Sequence, residues 1–105
     1  MTSKQRAYLK SLAMNLDPVL NCGKDSLTDN FITACDEAIE ANELIKVGVL
    51  KNCADDPKEI ASAIAEAIDC EIVQIIGKKM VFFRPARKPE NRKIVLPKAK
   101  KEDNR

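Results

Sequence analysis

With 105 residues, the chain has room for one domain built on one hydrophobic core. Only 4% of it is aromatic, so that core must be mostly Ile, Leu, Val and Ala, and recognition by a platform of base-stacking aromatics is disfavoured. No apolar run approaches the roughly 18 residues of a membrane span, residues 1–6 lack the apolar centre of a signal peptide, and the absence of histidine removes the commonest general base. A cytoplasmic protein without a membrane partner is therefore expected. The net charge of +2 conceals a sorting along the chain. Residues 1–26 carry four basic side chains against two acids, residues 27–76 three against eleven, and residues 77–105 eleven against three. A fold that brings the two ends together has a basic face and an acidic one, and a basic face is the electrostatic footprint of a phosphate-rich partner.

Residues 3–14 read as a first helix, capped by Thr2 or Ser3, with Leu9, Leu12, Ala13 and Leu16 on one stripe and Lys4, Arg6 and Lys10 mostly off it. Asp17-Pro18 stops it, because the residue before proline avoids helical geometry. Residues 19–22 form a short strand, and Gly23-Lys24-Asp25-Ser26 a turn. A second helix over about 28–41 buries Leu27, Phe31, Ala34, Cys35, Ala38 and Ile39, leaving Asp29, Asp36, Glu37, Glu40 and Glu43 to solvent. The β-branched run 44–50 is a strand. Asp56-Pro57-Lys58-Glu59 is a helix start, after which Ile60, Ile64, Ala67 and Ile68 turn inward. Residues 72–76 and 80–84 make a hairpin about Gly77-Lys78, where glycine tolerates positive φ. Ile94-Val95-Leu96 is an apolar island suited to edge pairing, and disorder is expected beyond Pro97. The order α-β-α-β-α-β-β gives an α/β (α+β) domain with a mixed four-stranded sheet packed by three helices.

Cys22, Cys35, Cys53 and Cys70 form no Cys-x-x-Cys knuckle, so buried reduced thiols are expected and no metal or other cofactor. The turn at Gly23-Lys24-Asp25-Ser26 lies between a strand and a helix start, where unpaired N–H groups and the helix dipole favour an anion. Glycine lets backbone approach a phosphate and Lys24 adds a point charge; Asp25 opposes it unless it points away or caps the helix. The Gly-x-x-x-x-Gly-Lys spacing of a nucleotide loop is missing. The second candidate is the basic hairpin and tail, Lys78, Lys79, Arg84, Arg87, Lys88, Arg92 and Lys93, which reads either as a solvated tail or as a contact to nucleic-acid backbone. The carboxylates of the second and third helices read as a solvated face without a cleft for acid–base work.

Taken together, Leu9-Lys10-Ser11-Leu12-Ala13, Pro18-Val19, Gly23 with Leu27-Thr28, Glu43-Leu44-Ile45-Lys46-Val47, Val73-Gln74-Ile75-Ile76-Gly77-Lys78, Arg84-Pro85 and Ile94-Val95-Leu96-Pro97 resemble the CRM domain, specifically the small stand-alone YhbY-like proteins of bacteria. The resemblance runs from residue 4 to 97. It implies a compact RNA-binding domain similar in fold to the C-terminal domain of initiation factor three, with a Gly-x-x-Gly loop comparable to the backbone-clamping loop of KH domains. Gly23, Lys24 and Asp25 match its first three positions; Ser26 replaces the second glycine, and either sits at positive φ at a cost or caps the following helix. Bacterial members are associated with the large-subunit ribosomal precursor.

The expectation is a non-enzymatic RNA-binding protein with a domain over residues 1–97 and a basic tail over 98–105. Its partner would be ribosomal RNA in the large-subunit precursor, with ribosomal proteins as further partners. Contact would run through Gly23, Lys24, Asp25 and Ser26, extended by Lys4, Arg6, Lys10, Lys46, Lys78, Lys79 and Arg84, mainly to backbone and shape. The alternatives are a protein-interaction module for an acidic assembly partner and duplex DNA binding.

Overall fold

The computed structural model describes residues 1–97. Helix α1 (Ser3–Ala13) opens on a capping box: the Thr2 hydroxyl accepts the Gln5 N–H at 3.1 Å and the Gln5 amide oxygen accepts the Thr2 N–H at 3.0 Å. After β1 (Leu20–Cys22), Thr28 caps α2 (Asp29–Asn42) by accepting the Phe31 N–H at 3.0 Å, so the cap belongs to Thr28 and not to Ser26 or Asp25. Strand β2 spans Leu44–Val49. Asp56 caps α3 (Pro57–Ile68), with proline at the first turn, where its missing N–H is not needed. A hairpin of β3 (Glu71–Ile76) and β4 (Lys79–Phe83) turns at Gly77, whose φ is +55°. A short 3₁₀ turn, Pro89–Asn91, follows.

The sheet order is β1-β2-β4-β3. Strands β1 and β2 run parallel with Cys22 opposite Val49, while β4 lies antiparallel to both its neighbours, with Gly48 and Ile76 opposite Lys79. Period-two alternation sorts the side chains to two faces. Ile45, Val47, Met80 and Phe82 pack under α2 and α3 against Cys35, Ile39, Ile60 and Ile64. Leu44, Val73, Val81 and Phe83 pack under α1 against Leu9 and Ala13, with Leu12 and Leu16 at the margin. The inner face of α3 is Ile60, Ala61, Ile64 and Ile68; Ala67, expected there, is exposed because it falls past the edge of that stripe. Among the described residues, no helix is long and apolar enough to cross a membrane.

Residues 85–97 form a strap that leaves β4, passes the C-terminal end of α2 and reaches α1, where Ile94 and Leu96 join the second apolar cluster and Pro97 O accepts from the Gln5 side chain at 3.0 Å. Ile94-Val95-Leu96 is not an edge strand. The N–H of Ile94, together with that of Lys93, is bound by the Glu43 carboxylate and is unavailable to a ladder. The expected disorder beyond Pro97 lies outside the described residues.

Candidate nucleic-acid interface

The parallel register of β1 and β2 sends the Gly23-Lys24-Asp25-Ser26 turn and the Leu50-Lys51-Asn52 loop out of one end of the sheet. The antiparallel register of β4 brings the Gly77-Lys78 turn to the same end, where Val49 N–H donates to Lys78 O at 2.7 Å. Lys24 and Asp25 are both exposed. The turn closes on itself through Ser26 N–H to Gly23 O at 2.9 Å, and Ser26 has φ 55°. This left-handed geometry is the one a glycine would supply without strain. Here the serine is held by its hydroxyl, which donates to the Asp55 carboxylate in the loop that leads to α3. Leu27 and Thr28 separate the turn from α2, and Asp29 occupies the first turn of that helix, so the dipole of α2 is partly answered from within.

On the face covered by α1, the helix stops short of this same end and leaves a cleft. Lys10 from α1, Lys46 from β2 and Lys79 from β4 line it, with Gln74, Met14 and Ile76. The ion pairs among the described residues involve only Arg84 and Arg87, so none of these lysines is neutralised by a neighbouring carboxylate there. Lys4 and Lys78 are exposed. The sequence-predicted residues thus divide: Lys10, Lys46 and Lys79 converge on the cleft, and Lys24 and Lys78 flank the sheet end beside it.

Two of the predicted binding residues hydrogen-bond within the fold. Arg6 is half-buried and its guanidinium donates to Ile72 O at 2.5 Å and Val73 O at 3.0 Å. These carbonyls belong to the bulge between Ile72 and Gln74, where the β3–β4 register shifts. Arg84 is 6% exposed; it donates to Asp36 Oδ1 at 2.6 Å, Ile68 O at 2.8 Å and Glu40 Oε1 at 3.2 Å, leaving only Nε without a partner. It does not join the basic surface.

The partners of Arg84 correct the expectation of a solvated acidic face. Glu40 accepts the N–H groups of Arg87 and Lys88, which pull its carboxyl down to about 2, with Asn91 and Arg84 assisting. Glu43 is 1% exposed and accepts from the N–H groups of Ala86, Lys93 and Ile94 at 2.7, 2.6 and 2.7 Å. Burial alone would push its carboxyl up, but these three donors and Arg92 hold it below the usual range. Glu40 and Glu43 therefore bind the strap and Asp36 binds Arg84, while Asp29 and Glu37 remain in solvent. One sequence signal marks Glu43: it continues the i, i+4 row of Cys35 and Ile39, the inner face of α2.

The four cysteines are free thiols, and burial pushes Cys35 up to about 12 and Cys70 up to about 11, so both stay protonated at neutral pH. Among the described residues, no cluster of three or more Cys, Asp or Glu is placed to hold a metal ion.

Comparison with known proteins places this geometry in a family. The chain is 40% identical to Probable RNA-binding protein YqeI of Bacillus subtilis over 97 residues, covering 92% of this chain and 99% of that one. It is 35% identical to an RNA-binding protein of Haemophilus influenzae, covering 93% and 96%. The solution structure of protein SAV1595 from Staphylococcus aureus superposes with a TM-score of 0.73 at 42% identity, covering 92% of this chain and 99% of that one. Residues 1–84 match the CRS1 / YhbY (CRM) domain, and the chain belongs to that family.

Proposed function

We propose that the protein is a non-catalytic RNA-binding protein of the cytoplasm that acts on structured ribosomal RNA during assembly of the large subunit. The relatives' names support RNA as the partner. The observation that carries the reading is a cluster of lysines at one end of the sheet, without ion pairs among the described residues. Lys24, Lys78 and the cleft lysines Lys10, Lys46 and Lys79 gather about one end of the sheet, while Asp36, Glu40 and Glu43 are occupied by Arg84 and the strap. In this reading the Gly23–Ser26 turn approaches a phosphate, Lys24 supplies charge at its tip, and Lys4 extends the surface along α1. Contact is mainly to backbone and shape, since aromatics are scarce.

The test is equilibrium binding to a structured ribosomal RNA fragment and to matched duplex DNA across a salt series, for wild type and Lys24→Ala. The reading expects preference for RNA, a steep salt dependence, and weaker binding on substitution. Equal, weak binding to both nucleic acids, unaffected at Lys24, would refute it and favour an acidic protein partner.

A further inference from the structure

The cleft beside α1 differs from an ordinary basic surface in three respects. It is recessed, with a volume of about 160 Å³. Lysines from three separate elements line it, and among the described residues no carboxylate does. Apart from Gln74 its remaining wall is apolar, and that apolar surface is open to solvent: Met14 is 80% exposed and Ile76 61%. A recess lined by three lysines and no carboxylate favours an anion. A bare phosphate would leave Met14 and Ile76 unused. A duplex backbone keeps its bases stacked inside and would rest on the rim.

We infer that the cleft receives one unpaired nucleotide of the bound RNA, with its phosphate on Lys10, Lys46 and Lys79, its base against Met14 and Ile76, and its edge read by the Gln74 amide. The inference rests on the RNA-binding reading and adds to it a single-strand site distinct from the Gly23–Ser26 turn. Unpaired bases are what proteins read in RNA, because the edges of an A-form helix are hard to reach. Aliphatic side chains and a thioether supply the apolar contact that aromatic residues supply elsewhere. A carboxamide offers both a donor and an acceptor, so it distinguishes one base edge from another.

The experiment is titration of the ¹⁵N-labelled full chain with single-stranded octamers U₈, A₈ and C₈, with a 12-base-pair RNA duplex, and with inorganic phosphate. The expected result is saturable shifts at Lys10, Lys46, Lys79 and the Gln74 side-chain amide with an octamer, and no Gln74 shift with phosphate or duplex. Lys79→Gln weakens octamer binding about 5- to 10-fold and lowers the salt slope by about 0.7. Gln74→Ala reduces the ratio of affinities among the three octamers rather than all three alike. Lys46→Gln is the second lysine variant, and unchanged amide spectra report that each variant is folded. Octamer shifts confined to the Gly23–Ser26 turn and the Gly77-Lys78 turn would overturn the inference while leaving RNA binding intact. Absence of shifts with any RNA would overturn both.

Discussion

Replacing Glu43 by glutamine is a near-isosteric change that should cost far more than its size suggests. The carboxylate accepts two N–H groups on Oε1 (Lys93 and Ile94) and one on Oε2 (Ala86). A glutamine amide has one acceptor oxygen. If that oxygen keeps Lys93 and Ile94, the NH₂ group is driven against the Ala86 N–H, donor to donor. The Ala86 bond is buried, so its N–H finds no water, and the loss is about 1–3 kcal/mol. The other two bonds are partly buried and lose their charge assistance, a further ~1 kcal/mol together. A total of about 3 kcal/mol is a large share of the 5–15 kcal/mol that holds a small domain folded. At roughly 4–8 °C per kcal/mol, the melting temperature falls by about 12–24 °C. Far-UV circular dichroism during urea and thermal unfolding measures this, with Glu37→Gln on the exposed face of α2 as the control. Amide exchange at Ala86, Lys93 and Ile94 reports whether the strap loosens before the core. A Glu43→Gln protein as stable as the control would show that the carboxylate does not hold the strap.

The same carboxylates set an acid limit. Glu40 is depressed to about 2 and Glu43 is also lowered, so their stabilisation is complete above the ordinary glutamate range near 4.5 and is lost as pH falls from there toward 2; pepsin cleavage within residues 85–97 should accelerate across that interval, and an unchanged rate would refute the linkage. Arg6→Ala removes two charge-assisted bonds at a partly hydrated site and should destabilise by about 1–2 kcal/mol in urea unfolding, with faster exchange along α1; a loss of RNA affinity without a loss of stability would return Arg6 to the binding surface. Ser26→Gly trades a bond to Asp55 for relief of a left-handed φ worth about 1 kcal/mol and should be neutral within about 0.5 kcal/mol, whereas Ser26→Ala keeps the strain and should lose about 1 kcal/mol; an alanine variant as stable as the glycine one would contradict the assigned strain.

Periodicity carried most of the architecture. The stripe through Leu9 and Ala13, the row of Ile60, Ile64 and Ile68, and the Gly77-Lys78 turn are local patterns, and each element forms where its pattern lies. Long-range polar pairing is invisible to such patterns. Arg6 and Arg84 look like surface cations because nothing nearby in the chain announces a register shift at Val73 or a carboxylate 48 residues away. Glu43 reads as solvated because its three partners lie 43 to 51 residues downstream, although its place in the row of Cys35 and Ile39 points inward. The cleft has the same origin: Lys10, Lys46 and Lys79 are scattered in sequence, and only the shortness of α1 over the sheet makes them neighbours.

The strand order β1-β2-β4-β3 has a kinetic corollary. The strand that joins the two halves of the sheet is the last one synthesised, so until Phe83 has left the ribosomal exit tunnel the nascent chain cannot pair β2 with β4, and β3 has no neighbour at all. The sheet assembles late and cooperatively rather than growing strand by strand during translation. Premature termination anywhere in residues 50–78 leaves the inner edge of β2 bare, a species prone to strand-to-strand aggregation and proteolysis. Quality control would therefore see either the whole domain or an adhesive fragment, with little between.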